Sequence, residues 1–541
     1  MSLPTAELSA PATPAPPHAE TSRGGGIGSG RFYLGLAGGA LVIAALSLLI
    51  PSTPSYDPWA WLVWGREIIH LDLHTTGGPT WKPLPVIFTT LFALFGKAQP
   101  DLWLVVARTG GVMAAGMVFK MSLRLTRMLG TALTGGEATG RGRVALLAPA
   151  ILAGTIAAVS LVFSGGFVSE NALGYSEGLL TALVLIAVDR HLDGAPRQAF
   201  VIGFLAALDR PEIWLFWGPY GLWLAWKDPG ARKLVLGLFV LIPVLWFLPE
   251  YWGSGHFLRG VNRAQRPRSN SPAFAKCPFC TELVHHAFPA VLTRMKVAAA
   301  VGVIAALAAL VRGGWRAALR PADDRQLALV ALAAAGIVGL GWWVLIAILT
   351  QVGFSGNDRY LVLGAAFVEV AGAVAFGWAA YALAGAARRR LSSASAASWT
   401  ATGLMTLVFV LVPNPVTGSL LHIRRTHRAL VYQAHLREDA ARAIADLGGP
   451  AKVLRCGTVM TEGFQVPMLA WTLGVRTLGV QAPPVHVVQG GPWPNTILQT
   501  RDTSKARLLP RSAQIIAWEQ AGARYTTFRV RTFIVSSTCA K

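Results

Sequence analysis

The sequence is short of charge. Asp, Glu, Lys and Arg make up only 14% of its 541 residues, while 53% are hydrophobic and the mean hydropathy is +0.49. A soluble chain carries about 25% charged residues, so an ordinary soluble globule is excluded. Several uninterrupted apolar runs of about twenty residues predict a polytopic membrane protein. Acid is scarcer still, with 26 Asp and Glu against 48 Lys and Arg, a net charge of +22. In a soluble protein that balance would point to nucleic acid. Here much of the positive charge flanks apolar runs, where Lys and Arg fix topology, and no nucleic-acid partner is expected. The first apolar run lacks a clear small-residue cleavage site and sits behind a long Pro/Ala/Ser-rich leader, which excludes a cleavable signal peptide. No internal repeat is visible, and no low-complexity tract beyond the leader.

The runs predict about eleven spans: Phe32–Ile50, Asp101–Met128, Val144–Phe163, Leu173–Val188, Ala199–Leu208, Ile213–Trp226, Leu234–Leu248, Ala290–Val311, Leu327–Leu349, Tyr360–Ala384 and Trp399–Leu421. Lys120, Arg124, Arg127, Arg190, Lys227, Arg232, Lys233, Arg312, Arg316, Arg320 and Arg388–Arg390 fall on one side of this alternation. By the positive-inside rule that side is the cytoplasm. The N-terminus is then inside and the C-terminus outside. Outside lie Pro51–Pro100, Ser164–Asn171, Asp209–Glu212, Pro249–Pro289, Gln351–Arg359 and everything after His422. Three parts follow: a disordered cytoplasmic leader (1–31), a transmembrane domain (32–421) and an extracytoplasmic α/β domain (422–541). In the last part, Arg428–Leu447 has helical periodicity. Lys452–Arg455 and Tyr525–Val535 read as strands.

All four cysteines fall outside, in an oxidising compartment. Cys277-Pro-Phe-Cys280 reads as a tight disulfide. A Cys/His metal site with His285 and His286 is the alternative. Cys456 and Cys539 would staple the C-terminal domain.

The chemistry-bearing stretch is Ser55–Phe95. Asp57 stands between Tyr56 and Pro58 just outside the first span, where it either caps the helix that follows or acts as an acid or base. Pro58–Leu71 alternates Trp59, Leu62, Val63, Trp64, Ile68 and Ile69 with Arg66, Glu67 and His70, the pattern of an amphipathic interfacial helix. Lys82-Pro83-Leu84-Pro85 opens a second apolar piece that is short for a span. Lys82 is either a snorkelling anchor or a phosphate contact. Asp209-Arg210-Pro211-Glu212 joins two short spans, as a plain hairpin loop or as the charged floor of a cavity. Glu369 is an acid inside the tenth run with no assigned role. Trp342 and Trp343 read as packing or interface residues rather than sugar platforms.

Taken together, these motifs resemble the GT-C glycosyltransferase superfamily, which includes the protein O-mannosyltransferases and the lipid A aminoarabinose transferases. Asp57 matches the acid at the start of that family's first outer loop. Lys82-Pro83-Leu84-Pro85 matches its Lys-Pro-Pro-Leu turn with one Pro displaced. Ala107-Arg108, Leu208–Glu212 and Arg359-Tyr360 sit in similar settings. The resemblance covers roughly residues 32–385. It implies a GT-C-like helical membrane fold with juxtamembrane helices in the first outer loop. It implies an inverting transfer of a sugar from a polyprenyl-phosphate donor to a glycan, lipid or protein acceptor, with membrane lipids around it. Asp57 would be the general base. Lys82 and Arg359 would face the lipid phosphate, with Arg108 and Arg210 behind them. Tyr360 belongs to the same substrate-binding set. Many relatives carry paired acids where Asp57 stands alone, so Glu170 and Glu177 are candidates for a second acid. No cofactor is assigned. A divalent metal stays open, because one carboxylate is a poor site for such an ion. The Ala-, Gly- and Arg-rich composition fits a high-GC bacterium such as an actinobacterium, whose envelope uses polyprenyl-phosphate mannose and arabinofuranose. The alternatives are a multi-pass transporter or lipid flippase, and a scaffold that presents the C-terminal domain. A transporter would favour broken helices and inverted repeats.

Overall fold

Residues 27–130, 141–269, 271–314, 321–391, 393–411 and 416–539 are described by a computed structural model. Of the expected leader, residues 1–26 lie outside the described residues, as do Arg316 and Arg320. In chain order, the helices are α1 Ile27–Leu46, α2 Tyr56–Ile69, α3 Pro83–Ala93, α4 Gln99–Gly130, α5 Arg141–Val162, α6 Phe167–Ala172, α7 Glu177–Leu192, α8 Pro196–Asp209, α9 Trp214–Lys227 and α10 Arg232–Ser254. They continue as α11 Thr293–Arg312, α12 Asp324–Gln351, α13 Val362–Ala387, α14 Ala394–Leu411, α15 Val416–Asp446, α16 Pro450–Cys456, α17 Val466–Leu473 and α18 Ser512–Gln520. Shorter turns lie between them.

Eight of the eleven expected spans correspond to helical stretches long and apolar enough to cross a membrane: Gly30–Leu49, Gly96–Gly130, Ala145–Val162, Pro229–Ser254, Thr293–Arg312, Asp324–Gln351, Asp358–Ala387 and Ala394–Leu411. The chain is a multi-pass membrane protein. The last expected span, Trp399–Leu421, stops at Leu411, and residues 412–415 lie outside the described residues. The other three expected spans are helices, but short ones: 16 residues in α7, 14 in α8 and 14 in α9. At 1.5 Å per residue they reach roughly 21–24 Å, less than the ~30 Å hydrocarbon layer.

Helix α13 is the centre of the bundle and packs against α4, α5, α11, α12 and α14. It is buried almost along its length because Ala and Gly dominate its surface and let neighbours close in. Trp342 and Trp343 on α12 are buried and donate to the carbonyls of Tyr360 (2.7 Å) and Leu361 (3.0 Å), which pins the turn ahead of α13. They are packing residues, as expected.

The first outer loop departs from the interfacial reading. Residues Pro58–Gly65 of α2 are buried without a break. One side is covered by α3, and the other by α17 of the C-terminal domain. Trp59 meets Trp471 at 5.3 Å, and Arg66 donates to the carbonyls of Trp471 (3.0 Å) and Val475 (2.7 Å). The helix is apolar on more than one face because it has two partners. A single membrane surface would need only one apolar face.

The C-terminal domain carries a five-stranded sheet in the order β2-β1-β3-β5-β4. Its strands are β1 Val459–Thr461, β2 Val480–Gln481, β3 Thr496–Gln499, β4 Thr526–Arg529 and β5 Ile534–Ser537. β1 pairs in parallel with β2 and β3, and β5 pairs antiparallel with β3 and β4. The expected strand at Lys452–Arg455 is instead part of α16. Pro450 opens that helix, and its fixed φ suits the first helical position. The expected strand Tyr525–Val535 contains a reversal and forms β4 and the start of β5. Disulfides join Cys277 to Cys280 and Cys456 to Cys539, with Cα atoms 5.3 and 5.9 Å apart. Cys277 and Cys280 are therefore not free to ligate a metal.

The head of α7 is held by small residues. A Cβ on Gly110 of α4 would lie 2.5 Å from the Leu179 Cα, and one on Gly178 would lie 2.8 Å from the Gly111 Cα. The two backbones touch there, next to Glu177. Gly110→Val is expected to force α7 off α4 and destabilise the protein by roughly 1–3 kcal/mol, read as a lowered heat-denaturation midpoint of the detergent-solubilised protein.

Candidate active site

Five segments meet at one end of the bundle. They are the start of α2 (Asp57), the N-cap of α3 (Lys82), the head of α7 (Tyr175–Glu177), the α8–α9 hinge (Asp209–Glu212) and the turn before α13 (Asp358–Leu361). Each side chain is delivered by a helix end. Pro83 starts α3 and fixes Lys82 in extended backbone at its N-cap. Pro211 ends α8 in the same way and leaves Arg210 extended. Ser55, not Asp57, is the N-cap residue of α2. The Asp57 carboxylate is turned to Arg359 instead of capping the helix.

The centre of the cluster is one oxygen. Glu177 Oε1 lies 3.3 Å from Arg210 Nη1, 3.4 Å from Arg359 Nε and 3.6 Å from Lys82 Nζ. Arg359 Nη2 donates to Asp57 Oδ2 at 2.5 Å. Arg210 donates twice to Glu212, at 2.7 and 3.2 Å. Lys82 Nζ donates to Ser176 Oγ at 3.0 Å and stands 3.9 Å from Asp209 Oδ1. Aromatic faces flank the cations: Arg210 lies 3.7 Å over Tyr360, and Arg359 lies 3.9 Å over Tyr175. Tyr175 shares a 2.9 Å hydrogen bond with Ser55. The α8–α9 hinge is buried, with Asp209 0% and Arg210 4% exposed. It is the floor of the site and not a surface hairpin.

Of the residues expected at the site, Asp57, Lys82, Glu177, Arg210, Arg359 and Tyr360 come together. Glu170 sits beside them in α6. Burial pushes its carboxyl up to about 7, against the pull of Arg359. Asp209 is likewise pushed up to about 6 by burial, against the pull of Lys82. Arg108 does not join the cluster. It donates to Ser47 Oγ (2.7 Å), Ser52 Oγ (2.9 Å) and the Ala172 carbonyl (2.8 Å), at the edge of an otherwise largely apolar cavity of about 640 Å³ between α1, α4, α6 and α15. Glu369 is fully buried in α13, with Ser164 Oγ 3.4 Å away, and stays outside the site. Tyr175, Ser176, Asp209 and Glu212 were missing from the expected set. The polar run Gly174–Glu177 at the head of an apolar segment was the signal for the first two.

These carboxylates do not fit a divalent ion. Each is already turned to a cation: Asp57 to Arg359, Glu177 to three, Asp209 to Lys82 and Glu212 to Arg210. Among the described residues no group of three or more His, Cys, Asp or Glu is arranged to hold a metal. The arrangement offers instead three fixed cations for an anion and one carboxylate, Asp57, at the rim of the group.

No protein-family model matches this chain, and no curated protein matches it. Among solved structures the chain is similar to the crystal structure of ArnT from Cupriavidus metallidurans bound to undecaprenyl phosphate. The identity is 13%, the match covers 94% of this chain and 98% of that one, and the TM-score is 0.45. It is also similar to the apo crystal structure of the Archaeoglobus fulgidus oligosaccharyltransferase, at 13% identity over 81% of this chain and 64% of that one, with a TM-score of 0.39. Values this low fix neither the family nor the activity of this chain.

Replacing Glu177 by Ala would leave Lys82, Arg210 and Arg359 facing one another in a buried site. A loss of about 3 kcal/mol is expected, measurable as a large drop in the unfolding midpoint, with Glu177→Gln intermediate.

Proposed function

We propose that the chain is an integral membrane glycosyltransferase. It moves a sugar from a polyprenyl-phosphate donor to a cell-envelope acceptor on the extracytoplasmic face. The observation that carries this reading is the convergence of Asp57 with Lys82, Arg210 and Arg359 at one end of the bundle. The lipid phosphate sits against the cations, and Arg359 orients Asp57. Asp57 takes the proton of the acceptor hydroxyl. The acceptor oxygen bonds the anomeric carbon from the face opposite the phosphate. The bond from that carbon to the phosphate oxygen breaks, and its electron pair leaves with the polyprenyl phosphate, inverting the centre. Negative charge grows on that leaving oxygen, where fixed cations help most. The position of the site supports the reading over a transporter. The interacting charges of the site gather at one end of the bundle, where a translocation path would distribute them through it. No metal enters the scheme. The sugars mannose and arabinofuranose, suggested by composition, remain the donors to test first.

Asp57→Asn keeps the shape of the side chain and removes the base. Transfer of radiolabelled sugar from polyprenyl phosphate in membranes is expected to fall by roughly 10²–10⁴-fold, and full activity in that variant would sink the proposal. The pH dependence has a definite sign. With every group ionised, three cations face five carboxylates: Asp57, Glu170, Glu177, Asp209 and Glu212. Below about 6, Asp209 and Glu170 are both protonated and the site is no longer net negative. Above about 7 both are charged and repel a phosphate. Donor KM is therefore expected to rise as pH climbs from 5 to 8, with Asp209→Asn flattening the lower part of that rise and Glu170→Gln the upper part.

A further inference from the structure

A second, smaller cavity of about 150 Å³ lies where the C-terminal domain meets the segment that leads into Asp57. Tyr56 and Trp59 of α2 form one wall, and Gln433, Gln465, Asp502 and Thr503 of the C-terminal domain form the other. Its wall also includes Ser55, whose hydroxyl is bonded to Tyr175, the ring under Arg359. The cavity thus adjoins the cluster from the side of Asp57, not from the side of Lys82.

We infer that this cavity is the acceptor subsite and that it takes a saccharide. The inference rests on the glycosyl-transfer reading and names its acceptor class. Three observations carry it. The walls combine aromatic faces with amide, hydroxyl and carboxylate groups, which is the chemistry that receives the C–H face and the hydroxyls of a sugar ring. The volume has room for one sugar ring and none for a lipid chain, for which the 640 Å³ apolar cavity is the better match. The wall is also pinned in place. Gln433 donates to the Asp502 carbonyl, and the Thr503 N–H bonds the Asp502 carboxylate at 2.6 Å. The domain therefore presents these groups on a fixed frame, which lowers the entropy lost on binding.

The test uses the full-length protein in nanodiscs and needs no transfer. Ligand-observed saturation-transfer NMR is recorded with methyl α-D-mannopyranoside, methyl α-D-glucopyranoside, methyl α-D-arabinofuranoside and a Ser/Thr-containing peptide. At least one glycoside is expected to bind. Gln465→Ala and Asp502→Asn, which remove an amide and a charge from the cavity wall, should each weaken that binding by about tenfold. Glu369→Gln, which lies outside both the cavity and the cluster, should leave it unchanged. The inference is overturned if the peptide binds and the glycosides do not, if no glycoside binds, or if both cavity variants bind like wild type. Normal transfer by Asp57→Asn would instead bring down the transfer reading, whatever the glycosides do.

Discussion

Everything at the site depends on keeping ions out of water without leaving any of them alone. An isolated charge at that depth is prohibitive. Glu177 makes the arrangement possible, because one oxygen serves Lys82, Arg210 and Arg359 at 3.3–3.6 Å. Remove that shared partner and the three cations repel. Asp57 and Glu212 each hold one of the arginines from the far side, so each guanidinium is oriented by two acids. The fold places Glu177 by direct backbone contact between α4 and α7 at Gly110, Gly111 and Gly178, so the network's position is set by close helix packing rather than by a flexible loop.

The short helices have the same origin. Helix α7 runs only from Glu177 to Leu192. At its other end Asp189 accepts from Tyr33, Lys120 and Arg124, and Arg124 also reaches Asp193 at 2.6 Å. Two ionic clusters therefore bracket about three turns of helix. Helix α8 returns over the same short distance to Asp209. The protein is thin at this hairpin, whose two helices are 16 and 14 residues long.

How much of this was legible in the sequence depended on how local each signal was. Long apolar runs announced eight spans, because one residue after another repeats the same preference. Asp57, Lys82, Arg210 and Arg359 stood out because charge is rare in this chain and each sits beside a proline or at a run's edge. The meeting of Lys82, Arg210 and Arg359 at Glu177, and of Asp57 with Arg359, was not legible, since no pattern in the chain records contacts between residues 33 to 302 positions apart. The interfacial reading of Pro58–Leu71 failed for a related reason. The apolar surface of α2 was visible, but its cover is α17, some four hundred residues later. Lys452–Arg455 misled because a short apolar and basic run has no period to measure, and Pro450 was the better guide.

The covering of α2 by α17 also sets an order of assembly. The chain is made from its N-terminus, so the helix that carries Asp57 is made long before Trp471 and the carbonyls that hold Arg66 exist. Through the insertion of every later span, Trp59 has no Trp471 to pack against. The cavity between α2 and the C-terminal domain is likewise half built. Only the last-made domain closes it, so the helix that carries Asp57 stays uncovered until the C-terminal domain is complete.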